Sequence, residues 1–220
     1  MVSKPIRVAM ALLVAVSLLA GFLYFYFFRS LSAGEIIAKT LRQGKKIDSY
    51  HLLLEIEPGR GDEGREYFAR VWFRNPHFFR IDFFSIHPDD DTVADQTIVS
   101  DGEGTWLFSP EIGDQFTLGS TAQELAPTPF LLHTFLNGLA GSRESTLLGV
   151  EKTGEGFYYL LRIVPQVAQG DHAYEEIWLE KRTLLPARID IYDQHSKLKQ
   201  RVIYHKIVPN AEISQTLFQK

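Results

Sequence analysis

Residue types able to perform chemistry are few in this sequence and lie far apart. His87-Pro88-Asp89-Asp90-Asp91 is its one metal-like cluster. Carboxylates grouped beside an imidazole suit a hard cation such as calcium, but a solvated acidic loop between two strands accounts for the same residues more simply. Glu175-Glu176, with Glu180 close behind, could serve as paired carboxylates, one acid and one base. Their simpler place is the wet face and end of a strand that buries Ile177 and Leu179. His133, beside Leu132, fits the edge of a helix better than the role of a base. The seven histidines are scattered, and the chain has no G-x-S-x-G, H-E-x-x-H, phosphate-loop or G-x-G-x-x-G pattern. No catalytic residue, no metal site and no cofactor are expected, so the protein reads as a binder and not as an enzyme.

Composition narrows the classes further. There is no cysteine, which removes disulfides, thiolate metal sites, cysteine nucleophiles and lipid attachment through an N-terminal cysteine. A net charge of −4 gives no basic footprint, so no nucleic-acid partner is expected. Phenylalanine (16) far outnumbers methionine (2), as suits a β-rich domain with much apolar surface to bury.

Residues 8–28 carry no charge. A helix of about 21 residues spans roughly 30 Å, the thickness of a bilayer's hydrocarbon core. Lys4 and Arg7 precede this stretch, and Tyr24-Phe25-Tyr26-Phe27-Phe28 ends it like an interfacial belt. The expected organisation is a cytoplasmic N-terminus (1–7), a transmembrane signal anchor (8–28) and an extracytoplasmic domain (31–220), held at the cell membrane by a single pass. A cleaved signal peptide is the rival reading. The apolar stretch is long for one, and Leu31 stands where a cleavage site near Ser32-Ala33 wants a small residue.

The elements that must position any binding surface follow from periodicity. Ser32 and Glu35 form a capping box, Leu31 can staple onto Ile36, and the helix carries Ile36, Ile37 and Leu41 on its buried side, stopping near Gly44. From Tyr50 the period becomes two. Strands are expected at 50–56, 65–74, 78–84, 97–100, 105–108, 115–118, 145–152, 157–164, 174–180, 186–192 and 198–208, with turns such as Asn75-Pro76 and Asp101-Gly102-Glu103-Gly104 between them. Thr121 and Glu124 could cap a short turn. Thr128-Pro129 would start a helix over 129–139 with Leu131, Leu132, Phe135, Leu136 and Leu139 as its apolar stripe. The fold class is α+β, mostly β: about eleven largely antiparallel strands with two or three helices. Two readings of the apolar sheet face stay open. The helices fill it as an ordinary core, or they cover it loosely and leave a pocket for an apolar chain.

Several segments resemble the LolA family of periplasmic lipoprotein carriers. Val71-Trp72-Phe73-Arg74-Asn75-Pro76-His77-Phe78-Phe79-Arg80-Ile81-Asp82 is similar to that family's strand–proline–strand segment. Thr97-Ile98-Val99-Ser100-Asp101-Gly102-Glu103-Gly104-Thr105-Trp106-Leu107-Phe108-Ser109-Pro110 resembles its V-S-D-G-x-x-x-W-x-Y-x-P hairpin, with Phe108 in the Tyr position. Thr128-Pro129-Phe130-Leu131-Leu132 matches its T-P-x-x-L helix start, and Asn210 and Phe218 its C-terminal Asn and Phe. The resemblance implies an open, incomplete antiparallel barrel with a helical lid over a cavity for acyl chains. The wall it implies comprises Phe79, Ile81, Phe83, Ile98, Trp106, Phe108, Leu131, Leu132 and Phe135. Implied partners are acyl chains of lipids or lipoproteins, the membrane through the N-terminal helix, and an envelope protein. Two departures stand out. Asn75 precedes the proline where the carrier has the arginine that holds its lid, and Arg74 lies one residue earlier, on the other face of its strand. The apolar segment also ties the chain to a membrane, unlike a shuttle. That is similar to anchored relatives: LolB-like acceptors, RseB-like sensors, and membrane-attached LolA-like proteins of spore-forming bacteria.

Overall fold

The computed structural model describes residues 31–59, 64–110, 113–119, 131–166 and 171–219, with Ser17 alone in the N-terminal segment. The chain divides into two units, Met1–Ser32 and Ala33–Lys220. Ser17 apart, the apolar segment 8–28 lies outside the described residues, as do the Thr121–Glu124 turn and the Thr128-Pro129 cap. Among the described residues no helix is long and apolar enough to cross a membrane.

The second unit opens with α1 (Ala33–Gly44), followed by β1 (Ser49–Pro58), β2 (Tyr67–Arg74), β3 (Phe78–Phe84), β4 (Gln96–Asp101), β5 (Thr105–Ser109) and β6 (Asp114–Gly119). Next come α2 (Leu132–Ala140), β7 (Ser142–Thr153), β8 (Gly156–Pro165), β9 (His172–Glu180), β10 (Pro186–Asp193), β11 (Leu198–Pro209) and a 3-10 turn at Gln215–Phe218. All eleven strands form one sheet in the order β6-β5-β4-β3-β2-β1-β11-β10-β9-β8-β7. Every neighbouring pair is antiparallel. Two meanders are thus stitched together by β1 against β11, and among the described residues β6 and β7 are the edges of the sheet.

Alternation explains the core. Tyr50, Leu52, Leu54 and Ile56 are buried along β1. Across the ladders they meet Phe73, Val71, Ala69 and Tyr67 on β2, and Leu54 and Ile56 meet Tyr204 and Val202 on β11. The same face continues through Ile189, Ile177 and Leu161 on β10, β9 and β8. Each fully buried Leu, Ile or Val contributes about 1.5–3 kcal/mol. A unit with this continuous core of its own can fold alone.

Helix α1 starts directly after Ser32, with Glu35 in its first turn and Arg42 in its last, the charge order that suits a helix dipole. Ala33, Ile36, Ile37 and Thr40 are buried, and Thr40 donates its hydroxyl to the Ile36 carbonyl at 3.0 Å. Leu41, expected in the core, is half-buried instead. Helix α2 also departs from expectation. It begins at Leu132, with Leu131 extended in the cap position and no side-chain cap of its own. α1 packs on α2, α1 reaches β7 and α2 reaches β8.

The C-terminal Asn and Phe both lock the chain end. Asn210 accepts from the Asp48 N–H at 2.9 Å and donates to the Lys46 carbonyl at 3.0 Å, which pins the α1–β1 link to the end of β11. Phe218 is buried beside Phe78, ring centres 5.8 Å apart, with the Arg74 guanidinium over both rings.

Candidate functional site

Register decides which side chains share a face. Phe79 pairs with Phe73, Ile81 with Val71 and Phe83 with Ala69, and Ile81 also faces Ile98. Phe79 and Ile81 are therefore buried on the face that carries the helices, with Phe83 and Ile98 half-buried along it. Trp106 pairs with Val99 and Phe108 with Thr97. Those partners alternate with Ile98, so Trp106 and Phe108 lie on the opposite face, apart from the rest of the implied wall. Leu131, Leu132 and Phe135 are buried at the start of α2.

Where the two helices meet one end of this face, a cavity of 390 Å³ opens. Its apolar lining is Leu41, Ile47, Phe73, Leu132, Leu136 and Ala140; Lys45, Tyr50, Asn75, His133 and Asn137 supply its polar groups. Of the residues expected in the wall, only Leu132 borders this space. Tyr50 and Phe73 do so because they end the buried stripes of β1 and β2. The size falls within the usual range for a small-ligand pocket, about 300–1,000 Å³.

Tyr50 joins α2 to the sheet. Its hydroxyl lies 3.0 Å from His133 Nδ1. The Tyr50 and Phe73 rings stack at 5.0 Å, and Phe73 stacks on His133 at 4.6 Å. Burial pushes the Tyr50 hydroxyl up, while the backbone N–H groups of His133 and Leu132 pull it the other way. Those two N–H groups belong to the first turn of α2, where donors lack intrahelical partners. Tyr50 thus reaches, from the neighbouring sheet, the turn that Leu131 leaves without a side-chain cap. Tyr50→Phe is expected to cost about 1–2 kcal/mol of stability, read from the urea midpoint, and to speed amide exchange selectively across 132–140. An unchanged exchange pattern would remove Tyr50 as the support of that turn.

Arg74, one residue before Asn75, points away from this site. It pairs with Phe78 on the face opposite Phe73, over the Phe78 ring at 4.8 Å. The α2 helix is held by Tyr50 and His133 and not by an arginine before the proline.

The acidic candidates separate. Asp90 and Asp91 are exposed. Asp89 closes its own turn, accepting from the Thr92 hydroxyl at 2.5 Å and the Asp91 N–H at 3.2 Å, contacts that hold its carboxyl below the usual range. Glu176 pairs with Arg162 at 2.7 Å on the outer face. Glu175 does not share that wet face, contrary to expectation. It has the same parity as Ile177 and Leu179 and sits opposite Ile163 and Ile191, so its carboxyl is on the apolar side. Burial pushes it up to about 7. His172 Nε2 lies 3.4 Å away, with burial pulling its own imidazole down. Glu55, Glu57 and Glu66 also gather carboxylate oxygens within 4.8 Å of one another, with His205 at 2.6 Å from Glu55 and Arg201 at 3.5 Å from Glu57.

Comparison with known proteins returns one family model, described as sporulation protein YdcC-like, over residues 6–218. No curated protein matches the chain. Among solved structures, an uncharacterised conserved protein from Thermus thermophilus aligns at 16% identity and TM-score 0.55, covering 83% of this chain and 93% of that one. LprF from Mycobacterium bovis aligns at 12% identity and TM-score 0.50, covering 83% and 94%. A complex of MucA and MucB from Pseudomonas aeruginosa aligns at 18% identity and TM-score 0.51, covering 86% of this chain but 60% of the other. At these identities the likeness is one of fold.

Proposed function

The chain belongs to the sporulation protein YdcC-like family, and from that premise we propose that it is a membrane-tethered envelope domain that holds an acyl chain of a lipid or lipoprotein. The observation that carries this reading is the 390 Å³ cavity between α1, α2 and the sheet, with its wall of Leu41, Ile47, Phe73, Leu132 and Leu136. Burying one methylene contributes about 0.8 kcal/mol, so about ten methylenes give useful affinity without a polar contact. Binding and release are the whole activity in this reading, with no covalent step. The sheet and helices form an open, incomplete barrel with α2 as its lid, and the uncharged segment 8–28 keeps the domain on the extracytoplasmic side of the cell membrane.

Native mass spectrometry of Ala33–Lys220, purified from bacterial cells without added lipid, tests the proposal. A retained mass matching an acyl-chain lipid, lost on organic extraction, is the expected result. Bare protein after purification, with no uptake of added fatty acid, would overturn it.

A second reading draws on a different observation. Among the described residues β7 is an edge of the sheet, and on the β7–β8 hairpin Val150 is 49% and Phe157 52% exposed. Apolar groups beside an edge strand suit strand addition by a partner protein, and the solved MucB structure is in complex with MucA. In this reading the protein is an interaction or sensor module. Val150→Lys combined with Phe157→Lys should then abolish capture of a stoichiometric envelope protein from solubilised membranes while leaving lipid content unchanged. Undiminished capture would exclude this hairpin as the contact.

A further inference from the structure

We infer that the cavity under α2 selects a single hydrocarbon chain ending in an anionic oxygen group, a carboxylate or phosphate monoester, with that head seated among Lys45, His133 and Asn137. This deepens the acyl-chain reading above and rests on it.

Two stripes of α2 line the cavity side by side. Leu132, Leu136 and Ala140 recur every four residues and form the apolar one. His133 and Asn137 have the same spacing and form the polar one. A chain along the first stripe brings its head beside the second. Lys45 follows the last turn of α1 and lies on the same lining. It is exposed, and among the described residues no carboxylate pairs with it.

His133 Nδ1 lies 3.0 Å from the Tyr50 hydroxyl, and a phenol that donates there makes Nδ1 the acceptor. An imidazole accepting at Nδ1 carries its hydrogen on Nε2. Burial, and His77 after it, pull the imidazole's pKa down. Nε2–H is then a donor without a described protein acceptor. Asn75, also on the lining, is turned towards Asp48, its amide donating to that carboxylate at 3.4 Å. The lining therefore offers an ammonium, an imidazole and a carboxamide, with no acidic side chain among its described residues. Donors and positive charge without an acid favour an anionic oxygen head over an ammonium or a bare hydrocarbon end.

The experiment uses Ala33–Lys220, which carries its own core, and measures binding of palmitate, hexadecyl phosphate and methyl palmitate by displacement of a fluorescent fatty acid. Palmitate and hexadecyl phosphate should bind roughly 10-fold more tightly than the methyl ester, as expected of one charge-assisted contact. Lys45→Gln should remove most of that advantage and leave ester binding unchanged, whereas Lys46→Gln should alter neither. Equal affinity for acid, phosphate and ester overturns the head-group inference and leaves the acyl-chain reading standing. So does an equal loss in the Lys45→Gln and Lys46→Gln variants, which would mean diffuse charge and no seat. No binding by any of the three overturns both.

Discussion

Leu136→Trp is expected to weaken binding of a sixteen-carbon chain by roughly 30-fold, about 2 kcal/mol, the burial of two to three methylenes. Leu136 is half-buried on the cavity side of α2, so the larger ring has open space to enter and does not have to displace packed core. The neighbouring geometry is tight in one direction only. A Cβ at Gly44 would meet the Leu136 methyls at 2.5 Å and 2.9 Å, the movable tip of a flexible side chain. Gly44→Ala should therefore push Leu136 into the cavity and weaken binding in the same sense, by less. Both variants should unfold within about 1 kcal/mol of the unsubstituted domain, since the fully buried stripe of α2 is untouched. Titration with a fluorescent fatty acid and urea unfolding separate the two effects. Unchanged affinity in Leu136→Trp would mean that the chain does not lie where the cavity is.

Glu175→Gln is expected to change the pH dependence of stability several-fold more than the same substitution of an exposed glutamate would. In the folded domain the Glu175 carboxyl is pushed up to about 7 by burial, from an ordinary glutamate value of 4.5 that the unfolded chain keeps. Between those values the unfolded state has lost the proton and the folded state keeps it, so raising the pH favours unfolding. Stability contributed at this position is fully present below about pH 4, falls through the window, and levels off above about pH 7. A gap of about 2.5 pH units corresponds to about 3 kcal/mol. The stability difference between Glu175→Gln and the unsubstituted domain should therefore grow in the variant's favour by up to that amount from about pH 4.5 to about pH 7.5. His172 lies 3.4 Å away, with burial pulling its imidazole down. The same comparison in a His172→Gln background isolates the glutamate. Parallel pH profiles would put the carboxyl in water and off the apolar face.

Much of the architecture was legible from period and punctuation. The eleven strands follow alternation between turn residues, and the sheet order follows from short antiparallel connections plus one long-range pairing of β1 with β11. The site was less legible, for three physical reasons. The face of Trp106 and Phe108 depends on the hairpin register across Asp101–Gly104, which pairs Trp106 with Val99 and not with Ile98; motif similarity carries residue types but not register. The first turn of α2 is tied to the sheet by Tyr50, about 80 residues away in sequence, a partner that local capping rules cannot see. A carboxylate at Glu175 suggests a wet face, yet its parity with Ile177 and Leu179 was the stronger signal, because strand geometry leaves it no other side. The cavity itself arises where two stripes end and two helices meet, a property of packing that no single stretch of sequence contains.

We propose that a hydrocarbon chain lies between α1, α2 and the sheet. Photo-crosslinking tests it most directly, using the full chain in its membrane and a palmitate that carries a diazirine near its methyl end. Peptide mapping should find the label on Leu41, Phe73, Leu132 or Leu136, reduced in Leu136→Trp and displaced by unlabelled palmitate. Label confined to residues 8–28, with none in Ala33–Lys220, would contradict the account.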